Sequence, residues 1–197
     1  RPTTVPRIDQ RVVHIRSKER RAALEHLLAD PSVTRAIVFT RTKHGANRVT
    51  RQLRESGIEA EVIHGNKSQN ARQRALENFR TGASRVLVAT DIAARGIDVE
   101  GVSHVVNQEL PHEPETYVHR IGRTARAGAS GVAWSLVAPE EADRLRAVER
   151  LTGVALTEAS LPETVRVEAL PEAAADPAPH EREAPGASAG TVDGDGP

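Results

Sequence analysis

Near its middle the chain reads Val86-Leu87-Val88-Ala89-Thr90-Asp91, an unbroken apolar run that ends in two polar residues. Runs of this kind are typical of strands that are buried on both faces of a parallel sheet. Similar apolar, β-branched runs recur along the first 168 residues. They predict these strands: Arg11–Ile15, Ala36–Phe39, Glu59–Ile63, Arg85–Ala89, Val102–Asn107 and Val132–Val137.

Segments with helical periodicity lie between these strands, and they predict these helices: Lys18–Ala29, Thr42–Ser56, Ser68–Arg80, Glu113–Arg120 and Glu140–Leu151. Ser68 is a predicted N-cap, and Gly57 is predicted to follow the end of the second helix. The alternation predicts an α/β fold with an open, mainly parallel, doubly wound sheet flanked by helices. Ligands of such sheets bind at the carboxyl ends of the strands, so the candidate site is sought there.

The charge is balanced overall but uneven along the chain. Lys+Arg and Asp+Glu each number 27, yet residues 169–197 carry six acidic residues against one basic residue, and the remainder is net +5. The end of the chain is also rich in Ala, Pro and Gly, and it has too few large apolar residues to offset its ordering entropy. We therefore predict a linker over residues 1–10, a folded domain over 11–155, a transition segment over 156–170 and a disordered acidic tail over 171–197.

Composition excludes several kinds of site. The chain has no Cys, which rules out disulfides, thiolate zinc sites and a cysteine nucleophile. Its His residues are scattered and no phosphate-binding loop is present, so we predict no metal site within this chain. No apolar run approaches the roughly 18–20 residues that span a bilayer, and no signal peptide opens the chain. We expect no membrane contact, a cytoplasmic location and, because Met is absent, a fragment or a processed product.

The stretch Tyr117-Val-His-Arg-Ile-Gly-Arg-Thr-Ala-Arg126 places Arg120, Arg123 and Arg126 at a spacing of three, beside His119. Like charges this close repel one another, so a bound anion would balance them. The planar guanidinium suits phosphate because it binds it bidentately and keeps its charge. A basic helix end paired with local acids explains the same pattern, and the residues alone leave both interpretations open.

A second stretch, Val88-Ala-Thr-Asp-Ile-Ala-Ala-Arg-Gly-Ile-Asp98, leads a buried strand into polar residues. Thr90 and Asp91 stand where a strand end meets a helix start, so a hydroxyl and backbone N–H groups can face a phosphate. Asp98 could accept hydrogen bonds from a ribose hydroxyl. Caps at Asp91 and Asp98 with a turn at Gly96 explain each residue singly, but they do not explain the set.

Two further segments follow predicted strands and offer hydroxyls and cations to a phosphate backbone: Phe39-Thr40-Arg41-Thr42-Lys43 and His64-Gly-Asn-Lys-Ser-Gln-Asn-Ala-Arg72. Ordinary caps and turns have a similar composition, so the signal of each segment is weak on its own. The few aromatic residues fall mostly in predicted core elements. Any nucleic-acid contact should therefore be to phosphate and sugar, and it should be sequence-tolerant and salt-sensitive.

Together these segments resemble the second RecA-like domain of DEAD-box ATP-dependent RNA helicases, over roughly residues 11–155. The resemblance rests on Ala89-Thr-Asp-Ile-Ala-Ala-Arg-Gly-Ile-Asp98 and His119-Arg-Ile-Gly-Arg-Thr-Ala-Arg126, in this order and at suitable spacing. The segments Ala36-Ile-Val-Phe-Thr-Arg-Thr-Lys-His-Gly-Ala-Asn47 and Ile63-His-Gly-Asn-Lys-Ser-Gln69 look most like the bacterial RhlE-type branch. Departures are Gln108 and Glu109, where Tyr and Asp are usual, and Ala125, where Gly is common.

The resemblance implies a role for each matching residue. Arg123 and Arg126 would be catalytic arginine fingers on the γ-phosphate of ATP, and the ATP site would include Gly96, Asp98, His119 and Arg120. Asp91 and Arg95 would couple the two ligands. The RNA backbone would be bound by this set: Phe39, Thr40, Arg41, Gly65, Gln69, Arg72 and Thr90.

The resemblance also implies a partner domain. The phosphate loop and the residues that hold Mg²⁺ would lie in an N-terminal RecA-like domain, so this chain alone should not hydrolyse ATP. Two rival interpretations stay open. One is a non-catalytic RNA-binding or partner-docking module on the same fold, and the other is a DNA-translocating relative. The sequence does not indicate which RNA is bound, nor any ribosome or RNA-decay partner.

Overall fold

The computed structural model describes residues 7–126 and 129–162. The predicted tail over 171–197 lies outside the described residues, as do residues 163–170 of the predicted transition segment. Backbone contacts divide the chain into one unit, Arg1–Val167, and a second, Glu168–Pro197. Only the first unit contains described residues.

Strands and helices alternate along the described chain. The strands are β1 (Ile8–His14), β2 (Ala36–Thr40), β3 (Ala60–Ile63), β4 (Val86–Thr90), β5 (His104–Asn107), β6 (Gly131–Val137) and β7 (Thr157–Glu158). The α-helices are α1 (Arg20–Leu28), α2 (Lys43–Glu55), α3 (Gln69–Thr81), α4 (Pro114–Ile121) and α5 (Ala142–Thr152). Short 3₁₀ turns at Ser17–Glu19 and Pro139–Glu141 lead into α1 and α5.

The strands form one sheet in the order β3-β4-β2-β5-β6-β1-β7, and every described pairing is parallel. This confirms the predicted α/β fold with an open parallel sheet. The central strands β2 and β4 are buried along their whole length, as their continuous apolar runs predict.

Helices cover both faces of the sheet, because successive strand residues point to opposite sides. Ile37, Leu87 and Val105 share one core with apolar residues of α3, α4 and α5. Val38 and Val88 belong to a second core with residues of α1 and α2. The loops at the carboxyl ends of the strands stay outside both layers, and they carry most of the polar residues that the sequence singled out.

Local signals set several element boundaries. The Ser68 hydroxyl accepts a hydrogen bond from the Ala71 amide at 3.1 Å, which confirms Ser68 as the N-cap of α3. The chain leaves α2 through Gly57 at a φ of +79°, a left-handed conformation that glycine adopts at little cost. No helix within residues 7–126 and 129–162 has the length and apolar character needed to cross a membrane.

The predicted linker over residues 1–10 is wrong at its end. β1 begins at Ile8 and pairs Ile8–Gln10 with Gly131–Ala133 of β6. Ile8 and Gln10 are buried while Asp9 is exposed, so the strand continues toward the N-terminus in an alternating pattern. Part of the predicted transition segment is also ordered, since Leu156 and Leu161 are buried on either side of β7.

Candidate functional site

Polar side chains meet where β2, β4 and β5 end. Thr40 stands beside Thr90 in the sheet, and Phe39 stands beside Asn107. A cleft of about 350 Å³ opens at this edge, and its walls are formed by Phe39, Asp91, Ile92, Ala94, Arg95, Thr116, His119, Arg120 and Arg123. One cleft is therefore lined by Phe39 of β2 and by five predicted site residues from later in the chain: Asp91, Arg95, His119, Arg120 and Arg123.

Arg120, a buried residue of α4, connects the strand ends at this edge. Its side chain is 1% exposed, and it donates to both carboxylate oxygens of Asp91, at 2.6 and 2.8 Å. It also donates to Asn107 Oδ1 at 3.2 Å and to the Glu109 carbonyl at 2.7 Å. Its guanidinium lies 5.3 Å from the centre of the Phe39 ring, which is cation–π distance. One arginine on α4 thus fixes the ends of β2, β4 and β5 relative to one another.

This arrangement bears on two predictions. Arg120 was predicted to bind ATP, and in the structure it donates to Asp91, Asn107 and the Glu109 carbonyl. Phe39 and Thr40 were predicted to bind RNA, but their side chains are buried, and the Thr40 hydroxyl donates to the Thr42 carbonyl at 3.2 Å. The structure therefore supports positioning roles for these three side chains rather than direct contact with a ligand.

Arg123 and Arg126 follow α4 and turn toward the loop after β4. Arg123 donates to the Ile97 carbonyl at 2.9 Å, and Arg126 forms an ion pair with Asp98 at 2.6 Å. Burial lowers the pKa of Arg123, the nearby Arg126 charge lowers it further, and Asp98 opposes both effects. Gly96 takes a φ of +75° between these contacts. The structure thus brings together the two predicted fingers and the residue predicted to contact ribose.

The N-terminus of α3 carries most of the remaining residues that were predicted to bind RNA. Gly65 and Gln69 are exposed there, and Thr90 is buried at the end of β4. Arg72 reaches across to the loop after β4, where it donates to the carbonyls of Ala93 and Arg95. Arg72 therefore ties α3 to the loop that carries Asp91 and Arg95, the residues predicted to couple the two ligands.

Positive charge accumulates around His64, at the end of β3. Burial lowers the pKa of His64, and the charges of Lys67, Lys43 and His44 lower it further. His64 Nδ1 accepts from the Asn66 amide at 3.2 Å, so its Nε2 is the atom that donates to Asn47 Oδ1, at 2.9 Å. Neither α2 nor α3 has an acidic residue in its first turn. This edge is therefore electropositive, as an anion-binding surface requires.

Arg41 departs from its prediction as an RNA ligand. Its guanidinium contacts the Glu109 carboxylate at 3.0 and 3.2 Å and donates to His112 Nε2 at 3.0 Å. Its backbone N–H donates to the other Glu109 oxygen at 3.1 Å. Burial raises the pKa of Glu109, but the hydrogen bonds and charge of Arg41 outweigh this effect, and the pKa lies below its usual value. Arg41 is thus paired with an acid in the structure.

Sequence reasoning missed three residues of this edge. Asn107 and Glu109 accept hydrogen bonds from Arg120. Asn107 ends a predicted strand and Glu109 lies two residues beyond it, where the sequence marked it only as a departure from the family pattern. Ile92 is 77% exposed at the mouth of the cleft, and its neighbours in the sequence gave no sign of that exposure. Among residues 7–126 and 129–162, no three His, Asp or Glu side chains converge as metal ligands would.

The fold and the arginine-lined edge define the class of this protein. Residues 19–128 match the family model described as the helicase conserved C-terminal domain, and the chain belongs to that family. It is 47% identical over 149 residues to the DEAD-box ATP-dependent RNA helicase CshA of Bacillus licheniformis, a match that covers 76% of this chain and 31% of that protein. The chain thus spans about a third of the length of the curated relatives it matches.

Solved structures agree with this membership. A crystal structure of the E. coli DEAD-box protein SrmB, bound to regulator of ribonuclease activity A, superposes with a TM-score of 0.73 at 38% identity. That match covers 82% of this chain and 95% of the SrmB chain. S. cerevisiae Dbp5 bound to RNA and ADP BeF3 superposes with a TM-score of 0.76 at 34% identity, covering 80% of this chain and 43% of Dbp5.

Proposed function

We propose that this chain is the C-terminal domain of an ATP-dependent DEAD-box RNA helicase, in which it completes the ATP site and binds the RNA backbone. The observation that carries the proposal is the convergence of Arg123 and Arg126 on the loop after β4, at the Ile97 carbonyl and at Asp98, with Arg123 also lining the cleft. An N-terminal RecA-like domain would supply the phosphate loop and the groups that hold Mg²⁺. The chain alone would then bind ligands without hydrolysing ATP.

In this proposal the two arginines act on charge that develops during phosphoryl transfer. Arg126 would exchange Asp98 for the γ-phosphate, which costs little because water reaches both side chains and Asp98 is largely exposed. Arg123 would approach from the half-buried position beside Ile97, with a guanidinium that stays charged. Asp98, once released, would be available to the ribose hydroxyls. Such arginines stabilise the transition state and have little effect on ground-state RNA binding.

RNA would lie along the electropositive edge formed by the N-termini of α2 and α3. Gly65 and Gln69 are exposed there, and Lys43 and Lys67 add positive charge. Contacts of this kind reach phosphate and sugar, so binding would be sequence-tolerant and would weaken as salt rises. The Dbp5 structure with RNA and ADP BeF3 supports this proposal by similarity.

The test is RNA-stimulated ATP hydrolysis by the enzyme that carries this chain together with its first domain. Arg126→Ala and Arg123→Ala should each lower kcat by about 10³-fold or more, the range of arginine fingers, while RNA affinity stays within about twofold. Arg146→Ala is the matched control, because Arg146 is also an exposed arginine paired with an aspartate, Asp143, but lies on α5. The proposal is wrong if both finger variants turn over ATP like the control.

Finer assignments belong to the same proposal. The RhlE-type branch stays a prediction, because the relative that is 47% identical carries the name CshA. A cytoplasmic location and the use of Mg²⁺ are likewise proposed. The complex of SrmB with a protein regulator supports protein partners for this domain, without identifying one.

A further inference from the structure

Glu109 occupies a central place in the segment between β5 and α4. Its carboxylate accepts hydrogen bonds from the Arg41 backbone amide and guanidinium, and its carbonyl accepts one from the Arg120 guanidinium. A single residue therefore contacts the loop after β2 and the arginine that holds Asp91. The family resemblance assigns it no role, and Asp is the usual residue at this position.

Neighbouring contacts hold the same segment in place. Arg20 donates to the Gln108 carbonyl and also pairs with Glu141. The Glu141 carboxylate accepts the Leu110 amide at 2.8 Å. Consecutive backbone groups are thus bound to fixed partners, so the Glu109 side chain and carbonyl have little freedom to move independently.

Glu109 is unsuited to direct contact with either ligand. A carboxylate repels the phosphates of RNA and ATP, and this carboxylate is already paired with Arg41 on three hydrogen bonds. Its effect must therefore pass through the arginines that it holds. Arg41 belongs to the loop that leads into α2 on the proposed RNA side, and Arg120 fixes Asp91 on the proposed nucleotide side.

We propose that Glu109 is a positioning residue that links the loop after β2 to the Arg120–Asp91 pair, and so couples RNA binding to nucleotide binding. This inference rests on the proposed function. Coupling between two sites requires an element that both sites bias, and Glu109 accepts from Arg41 through its carboxylate and from Arg120 through its carbonyl.

The first test measures coupling in the enzyme that carries this chain and its first domain. RNA affinity is measured with and without ADP–beryllium fluoride, and the ratio is the coupling factor. Glu109→Gln should lower this factor by about fivefold or more, while RNA affinity without nucleotide and nucleotide affinity without RNA change by less than about twofold. Glu109→Asp should recover part of the factor.

The control is Glu113→Gln, a change at an exposed carboxylate four residues further along, at the start of α4. It should leave the coupling factor unchanged. A Glu109→Gln enzyme with the wild-type coupling factor overturns the proposal. A parallel loss of every affinity together with a lower Tm also overturns it, because that pattern indicates a merely structural role.

A second test uses the 197-residue chain and does not depend on helicase activity. The Nε–H resonances of Arg41 and Arg120 are followed by ¹⁵N NMR in the wild type and in Glu109→Gln. Movement of both resonances supports the link, and movement of Arg41 alone refutes it. If the wild-type enzyme shows no RNA-stimulated turnover, the proposed function fails, and this measurement still decides whether Glu109 connects the two arginines.

Discussion

The replacement Arg120→Met tests whether one buried arginine holds the site together. Methionine keeps much of the length and apolar contact of the side chain, but it removes the guanidinium. Asp91, Asn107 Oδ1 and the Glu109 carbonyl then lose the donor that they share. We expect a large loss of stability, because a partly buried carboxylate is left without its counter-charge.

The size of the loss follows from burial. Breaking a buried ion pair by removing one partner costs about 3–5 kcal/mol. Arg120 is 1% exposed but Asp91 is 30% exposed, so water can solvate part of the remaining carboxylate. The lower end of the range therefore applies, and we expect a loss of about 3 kcal/mol in the free energy of unfolding. For a domain of this size, that corresponds to a Tm lower by about 6–12 °C.

Urea unfolding and a thermal scan of the 197-residue chain measure the effect, with the slope m as the check that two-state unfolding is retained. Arg126→Met is the matched control, because Arg126 also pairs with an aspartate but in an exposed position, and it should cost less than about 1 kcal/mol. The double change Arg120→Met with Asp91→Leu should recover much of the loss, since no unpaired charge remains. Equal losses for Arg120→Met and Arg126→Met would refute the reasoning.

Three further predictions concern Ala125, Gly131 and Glu109. Ala125 has a φ of +56°, so Ala125→Gly should raise Tm by about 2 °C, while Ala83→Gly, at an exposed residue outside the left-handed region, should lower it. A Cβ at Gly131 would clash with the Thr124 side chain and lie 2.9 Å from the Ala125 backbone nitrogen, so Gly131→Ala should cost about 2–3 kcal/mol in urea unfolding. Folding lowers the pKa of Glu109 from its ordinary value of 4.5. The ionised carboxylate therefore stabilises the folded state fully above pH 4.5, and this stabilisation is lost as pH falls through the folded pKa. The Tm difference between wild type and Glu109→Gln should therefore shrink from about pH 6 to about pH 3, and a difference that grows on acidification would contradict it.

The sequence predicted the central sheet well because burial on both faces leaves a strong pattern. β2 and β4 are continuous apolar runs, and their observed ends differ by one residue from the predicted ends. The first residues of β1 were not predicted, because the buried residues Ile8 and Gln10 alternate with the charged Asp9. Gln10 is polar, and its burial depends on a hydrogen bond that it accepts from the distant Tyr117 Oη. β7 spans two residues, Thr157–Glu158, which is too short for any period to be read.

The candidate site was predicted in its position but not in its pairings. Strand ends and loop order located Asp91, Arg120 and Arg123 at one edge, because parallel strands bring their carboxyl ends together. Which arginine meets which acid depends on side chains separated by many residues. Arg41 and Glu109 lie 68 positions apart, and nothing in either local segment indicates the contact.

Exposure separates the arginines that can exchange partners from the one that holds the edge together. Arg126 and Asp98 have side chains that are 39% and 85% exposed, so water screens their attraction and a phosphate can displace the carboxylate at small cost. Arg120 cannot exchange partners in this way. If it moved away from Asp91, the partly buried Asp91 carboxylate would be left without its counter-charge. Three arginines with the same spacing and the same charge therefore differ in the role proposed for them: Arg123 and Arg126 would turn toward a ligand, and Arg120 would stay with Asp91.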